Sequence, residues 1–315
     1  MRLEDIGFYT LSDERALSST STSPMQRCEL ILLDQCNFKC PYCRGLRNDC
    51  QGVMPFLFAH NVLGYWIQDG LKNIRFSGGE PTLYTGLEDL VYQCRRGGVN
   101  RIALSTNGSA NFETYLKLIN AGVNDFSISL DACCAGDCKT MSGVDMFSKI
   151  KDNIQALSGM TYVSVGIVLT EQNVGTLRET VEFASSMGVN DIRIIPAAQN
   201  DTLQLAVAGL KADVVVQHPI LRYRVDRFLN DEPVRGLNEG DSHTCHLLKD
   251  DSVVAGEWHF PCVIYLREGG DPIGKVGLGM RRERIDWIEK TDTHCDPICK
   301  KNCLDVCVAF NNKAN

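Results

Sequence analysis

The chain has 315 residues, 44% hydrophobic and 23% charged, with a formal net charge of -7. That composition suits a globular protein long enough for a full core and a small appended unit. The acidic balance and the lack of a Lys/Arg stripe argue against nucleic acid as a partner, which needs a basic face. No run of about 18 apolar residues is present, so no membrane span is expected.

Residues 1–27 are polar and hold a Ser/Thr run ending at Pro24, which predicts an N-terminal arm. Their first residues lack the basic region and apolar run of a signal peptide. A regular alternation follows. Strands are predicted over 27–35, 73–79, 101–108, 125–132, 161–170 and 191–198. Helices are predicted between them over 55–70, 86–98, 112–122, 146–159 and 174–188. Alternating strands and helices indicate parallel β/α units. The strands read as β-branched and nearly all apolar, as expected when both faces are buried. Residues of chemical interest fall at strand C-terminal ends, the arrangement of a barrel. One more helix is predicted in a linker over 201–242, within HPILRYRVDRFLND. From 243 to 315 the composition shifts, with six of the fifteen cysteines and four of the six histidines. The expected organisation is α/β: a partial (β/α)6 TIM-type barrel over 28–200, then a small Cys-rich metal-organised domain.

Fifteen cysteines without a visible leader point to a reducing cytoplasmic setting and to metal ligation rather than disulfides. Cys36, Cys40 and Cys43 form C-x3-C-x2-C at the first strand end. Three local thiolates can hold three corners of a [4Fe–4S] cubane and leave its fourth iron open, whereas four cysteines would saturate it. Structural zinc would want a fourth close ligand, and only Cys50 follows nearby. Ser77-Gly78-Gly79-Glu80-Pro81 ends the second strand. Its glycines admit close approach of a ligand to the backbone, and Glu80 can grip an ammonium group. Read alone, the same run is a tight turn with a surface glutamate.

Taken together, the cysteine motif with Tyr42 inside it, Gly78-Gly79-Glu80-Pro81, Ser105-Thr106-Asn107-Gly108 and Ser129-Leu130-Asp131-Ala132 resemble the radical S-adenosylmethionine (SAM) superfamily over about 28–200. The resemblance implies a [4Fe–4S] cluster whose open iron chelates SAM. An electron then cleaves SAM to methionine and a 5′-deoxyadenosyl radical that takes hydrogen from a substrate. It implies that Gly78, Gly79 and Glu80 hold the methionine amine, Ser129 the carboxylate or ribose, and the backbone near Tyr42 the adenine. Ile195 with Pro196 would also touch the adenine. Thr106, Asn107 and Asp131 complete the expected cofactor-binding set. An electron donor such as flavodoxin or ferredoxin is implied as a partner. The barrel most resembles the branch of the molybdenum-cofactor GTP cyclase, but it departs from that branch. Glu29 and Ser164 stand where two cations would be, Arg75 is kept, and the glycine–arginine tail is missing, which argues against GTP as substrate.

Cys245 and Cys262 flank Gly256, and Cys295, Cys299, Cys303 and Cys307 recur every four residues. This partly resembles the twitch or SPASM auxiliary-cluster domains, without their full cysteine run. It implies one further [4Fe–4S] cluster held by Cys245, Cys262 and two of the last four. Structural zinc on cysteines, with His243, His246 or His294, remains open. The i, i+4 spacing would put all four last cysteines on one helix face, so an intervening turn is expected. Cys133, Cys134 and Cys138 follow the fourth strand as possible hydrogen-atom donors, or as incidental loop thiols. Arg75, Glu171 and Asn200 are expected substrate contacts. The expected activity is radical SAM chemistry on a small molecule such as a sugar, nucleoside or amino acid derivative. A peptide substrate and a non-catalytic zinc or cluster-binding protein are the alternatives.

Overall fold

The computed structural model describes residues 13–197 and 206–314. A short helix, α1 (Asp13–Ser18), precedes the first strand. Six β/α units then follow: β1 (Arg27–Ile31) and α2 (Phe56–Gln68), β2 (Asn73–Ser77) and α3 (Leu87–Arg96), β3 (Arg101–Thr106) and α4 (Phe112–Ala121). Next come β4 (Asp125–Ser129) with α5 (Ala135–Ser142) and α6 (Phe147–Ser158), β5 (Tyr162–Leu169) with α7 (Leu177–Ser186), and β6 (Asp191–Pro196). After α8 (Ala212–Val215), helix α9 (Pro219–Leu229) completes the sixth unit. The helix expected in a linker therefore belongs to the barrel. Asp191 fixes it there, since its carboxylate accepts from Ile220 N (3.0 Å) and Leu221 N (3.4 Å) at the helix start.

Every adjacent pair from β1 to β6 is parallel. The predicted strands run one to four residues too long at their C-terminal ends, where the backbone leaves the ladder to build the site loops. Alternate residues of each strand form the main core. Cys28, Leu30, Ile74, Phe76, Ile102, Leu104, Phe126, Ile128, Val163, Val165, Ile192 and Ile194 pack against the helices. The other face is polar and corrects the expectation of nearly all-apolar strands: Arg27, Glu29, Arg75, Ser77, Ser105, Ser127, Ser129, Ser164 and Arg193 occupy the intervening positions. Arg75 on β2 and Arg193 on β6 line one chamber although three strands separate β2 from β6 in the sheet. The sheet is therefore curled into a partial barrel with a polar lumen.

The Cys-rich segment continues this sheet. Strand β7 (Asp251–Ala255) pairs in parallel with β1 and antiparallel with β8 (Trp258–Phe260). After α10 (Val263–Arg267), strand β9 (Gly274–Lys275) closes the edge, giving nine strands in the order β6-β5-β4-β3-β2-β1-β7-β8-β9. Helices α11 (Met280–Lys290), α12 (Pro297–Asn302) and α13 (Asp305–Lys313) follow. The N-terminal arm is bound by this segment: Ala16 packs with Leu247 and Phe310, and Arg15 pairs with the buried carboxylate of Asp250. No helix among the described residues is long and apolar enough to cross a membrane.

Candidate active site

A cavity of about 300 Å³ opens at the C-terminal ends of β1 to β4. That is ligand-sized, at the small end of the usual range of roughly 300–1,000 Å³. Its wall brings together Cys36, Cys40 and Cys43 with Tyr42, Gly78, Gly79, Thr106, Asn107, Ser129 and Asp131. The glycine pair is demanded by the chain itself. A Cβ on Gly79 would stand 2.1 Å from the Gln35 carbonyl oxygen, and one on Gly78, at φ 148°, would stand 2.4 Å from that of Leu33. Gly79 N donates to Leu33 O at 2.7 Å and Glu80 N to Gln35 O at 2.8 Å. The glycines thus let the second loop press under the cysteine loop, and they leave their backbone on the cavity wall.

Glu80 does not line the cavity. Its side chain is 1% exposed. Oε1 accepts from Thr82 N (3.1 Å), Thr82 Oγ1 (2.6 Å) and Thr106 Oγ1 (2.7 Å), and Oε2 accepts from Asn107 N (2.7 Å). In this structure its carboxylate ties the second strand loop to the third. Burial raises its pKa, and the four donors oppose that rise. Asn107, so positioned, donates from Nδ2 to Asn37 Oδ1 (2.8 Å) and leans on Cys36 Sγ (3.9 Å). Tyr42 donates its hydroxyl to Asp131 Oδ2, and Val168 N donates to Oδ1 at 2.6 Å. Burial lifts the Asp131 carboxyl to about 6 despite these donors, and lifts the Cys40 thiol to about 11.

The other expected residues divide. Among the three thiols after β4, Cys138, on the buried face of α5, lines the cavity, while Cys133 and Cys134, which precede that helix, do not. Ile195 is 39% exposed on β6 and does not line this cavity. Glu171, in the loop after β5, is exposed and lines no described cavity. Asn200 lies outside the described residues. Arg75 lines a separate lumen chamber of about 130 Å³. Sequence reasoning did not select Arg267. From α10 its guanidinium reaches the first cavity and donates to Gly45 O (2.6 Å) and Gly78 O (3.4 Å), clamping both loops. No local motif marks it.

Five of the six C-terminal cysteines surround one apolar cavity: Cys245, Cys262, Cys299, Cys303 and Cys307. Asp296 caps α12, accepting from Ile298 N (2.9 Å) and Cys299 N (2.8 Å), with Pro297 at the first helical position. The chain breaks at Cys303 before α13 starts at Asp305, which is the turn the four-residue spacing required. Cys295 precedes α12, is exposed and does not line that cavity, which sets it apart from the other expected ligands. Burial raises the pKa of all five inward thiols.

Among the described residues, no three His, Cys, Asp or Glu side chains already converge on one metal-ion position. The fit to iron–sulfur clusters rests on donor chemistry: three soft thiols beside an open cavity, and five around an apolar one.

Residues 30–184 match the model of the Radical SAM superfamily. The chain therefore carries a radical SAM domain, a family that works with a [4Fe–4S] cluster and SAM. It is 28% identical over 177 residues to a probable GTP 3′,8-cyclase of Metallosphaera sedula, covering 55% of this chain and 56% of that protein. A probable GTP 3′,8-cyclase of Sulfolobus acidocaldarius is 27% identical over 169 residues, covering 53% and 54%. The chain thus matches only about half the length of these relatives. Among solved structures, native anSMEcpe with bound AdoMet and Cp18Cys peptide superposes with a TM-score of 0.62 at 16% identity, covering 89% of each chain. SuiB of Streptococcus suis bound to the precursor peptide SuiA gives 0.61 at 14% identity, covering 88% of this chain and 66% of that one. At such identities the likeness is one of fold.

Proposed function

We propose that this protein is a radical SAM enzyme that abstracts hydrogen from a compact substrate held in the barrel lumen. The observation that carries this reading is the meeting of Cys36, Cys40 and Cys43 with Gly78 and Gly79 on the wall of one cavity. Those cysteines would hold three irons of a [4Fe–4S] cluster, with SAM against the glycine backbone, Tyr42 and Ser129. When bound, the pair supplies reductive cleavage of a carbon–sulfur bond and with it hydrogen abstraction. The chain's own share is positioning. Glu80 fixes Thr106 and Asn107, Asn107 sets Cys36, and Arg267 holds the two loops together. Cys245 and Cys262, with two of Cys299, Cys303 and Cys307, would hold an auxiliary cluster near the lumen.

A second reading is a side chain of a peptide. It is favoured because the fold likeness to peptide-bound structures spans 88–89% of the chain. The test is anaerobic reconstitution of the full chain with iron and sulfide, then SAM and dithionite. Formation of 5′-deoxyadenosine, abolished by Cys40→Ala, is expected. Tight zinc in place of iron, or no cleavage of SAM, would sink the proposal.

A further inference from the structure

The loop that carries Cys36, Cys40 and Cys43 continues over residues 44–51 along the cysteine-rich segment. Arg44 pairs with Glu268, and Arg47 donates to Gly270 O and stands 5.9 Å from the centroid of the Phe260 ring. Cys50 is buried with Val253, Ala255, Phe260 and Leu266 of that segment. In the turn between β7 and β8, a Cβ on Gly256 would stand 3.1 Å from Asp49 O and 3.2 Å from Cys50 Cα. Surfaces packed this closely move together.

Helix α10 stands between the two cysteine sets. Cys262 precedes it, and the Cys262 Sγ accepts from Tyr265 N at 3.4 Å. The helix has five residues, a length of about 7.5 Å. Tyr265 donates its hydroxyl to Asp296 Oδ2 (2.8 Å), and the other oxygen of that carboxylate accepts from Cys299 N (2.8 Å) on α12. Leu266 packs in the apolar cluster that holds Cys50 and Ile31 of β1. Arg267, the last residue, reaches Gly45 O and Gly78 O. Burial lowers its pKa, and the nearby Glu29 and Cys43 oppose that fall. One short helix thus starts at a thiol of the second set, is tied to another in its middle, and ends in the clamp on the first set. Burial keeps the five inward thiols neutral without metal, so mainly packing holds them. Metal bound to them would fix their relative positions.

We propose that Arg267 is a positioning residue of the SAM site and that the second cysteine set governs it: a cluster ligated at Cys262 fixes α10, and α10 sets Arg267 on the cysteine loop. This rests on the radical SAM reading for the site that Arg267 serves, and on the second set for its metal.

Two measurements on the full chain test it. In the first, Cys36, Cys40 and Cys43 are replaced by alanine and the chain is reconstituted anaerobically with iron and sulfide, so that only the second set can load. Loading should slow deuterium exchange of the amides of residues 44–51 about fivefold or more, the low end of coupling between sites. Adding Arg267→Met should abolish most of that slowing. No loading of the second set, exchange indifferent to loading, or equal slowing with Arg267→Met overturns the proposal.

The second measurement is equilibrium binding of SAM to the reconstituted, unreduced chain, and it decides alone if the triple variant does not fold. Arg267→Met should weaken SAM about tenfold or more at full iron content in the first set, as expected for loss of charged hydrogen bonds. Arg267→Lys should recover part of the loss, since it keeps the charge but not the fork. Cys262→Ala should weaken SAM as well, and the double variant should be no worse than the weaker single one, because both changes break one linkage. A merely structural arginine would lower iron content and melting temperature and leave the affinity of loaded sites unchanged. Wild-type affinity in folded Arg267→Met, or additive losses in the double variant, overturns the proposal. The wild-type preparation is also assayed for 5′-deoxyadenosine with dithionite. Its formation with a loop indifferent to loading overturns this proposal alone; its absence with the loop response intact overturns the radical SAM reading alone.

Discussion

At Gly79 the loop after β2 passes under the cysteine loop with no room for a side chain. Read from sequence, the glycine pair signalled backbone approach to a ligand. The structure shows that the first close approach is to the Asp34 and Gln35 carbonyls, 2.5 and 2.1 Å from where a Cβ would sit. Gly79→Ala must therefore push two loops apart. It should destabilise the protein by about 1–3 kcal/mol, the usual cost of overpacking. An unchanged urea midpoint would contradict this account. The residue types of the site were legible because their chemistry is local: three spaced thiols, two glycines, one carboxylate. The role of Glu80 was less so, since its donors Thr106 and Asn107 come from the next unit. Arg267 was invisible for a related reason: it meets Gly78 across 189 positions of sequence, and nothing beside it announces the contact.

At the scale of elements, the alternation of strands and helices was plain because helical and extended periods differ. The two-residue alternation inside the strands carried more than was taken from it. RCELI, NIRFS and DIRIIP each place a charge between buried apolar residues, the pattern of a polar lumen backed by a packed outer face. Strand β7 was harder to see, because DSVVA pairs with a strand more than 200 positions earlier and no local signal names that partner. The pairing makes a specific expectation. Backbone amides of β1 and β7 should exchange with deuterium as one cooperative unit, since each strand supplies the other's ladder. Amides of β7 that exchange well before those of β1 would show that the cysteine-rich segment opens independently.

For the molecule as a whole, the cysteine-rich segment extends the barrel sheet rather than trailing from it. It extends the sheet through β7, binds α1 through Asp250, and holds the cysteine loop through Arg267 and the Arg44–Glu268 pair. Its five inward cysteines adjoin a lumen that adjoins the cysteine-loop cavity in turn. The cysteine-loop cavity, the charged lumen chamber and the second cysteine set thus stand in sequence along one interior path. The central claim is that Cys36, Cys40 and Cys43 hold a cluster with an iron open to SAM. Electron paramagnetic resonance of the reconstituted, dithionite-reduced chain, recorded with and without SAM, tests it most directly. SAM should change the signal of one cluster, and that SAM-sensitive signal should vanish when the three cysteines are replaced by alanine while a second, SAM-insensitive signal remains. A spectrum indifferent to SAM, or a SAM-sensitive signal that survives loss of the three cysteines, would contradict the claim.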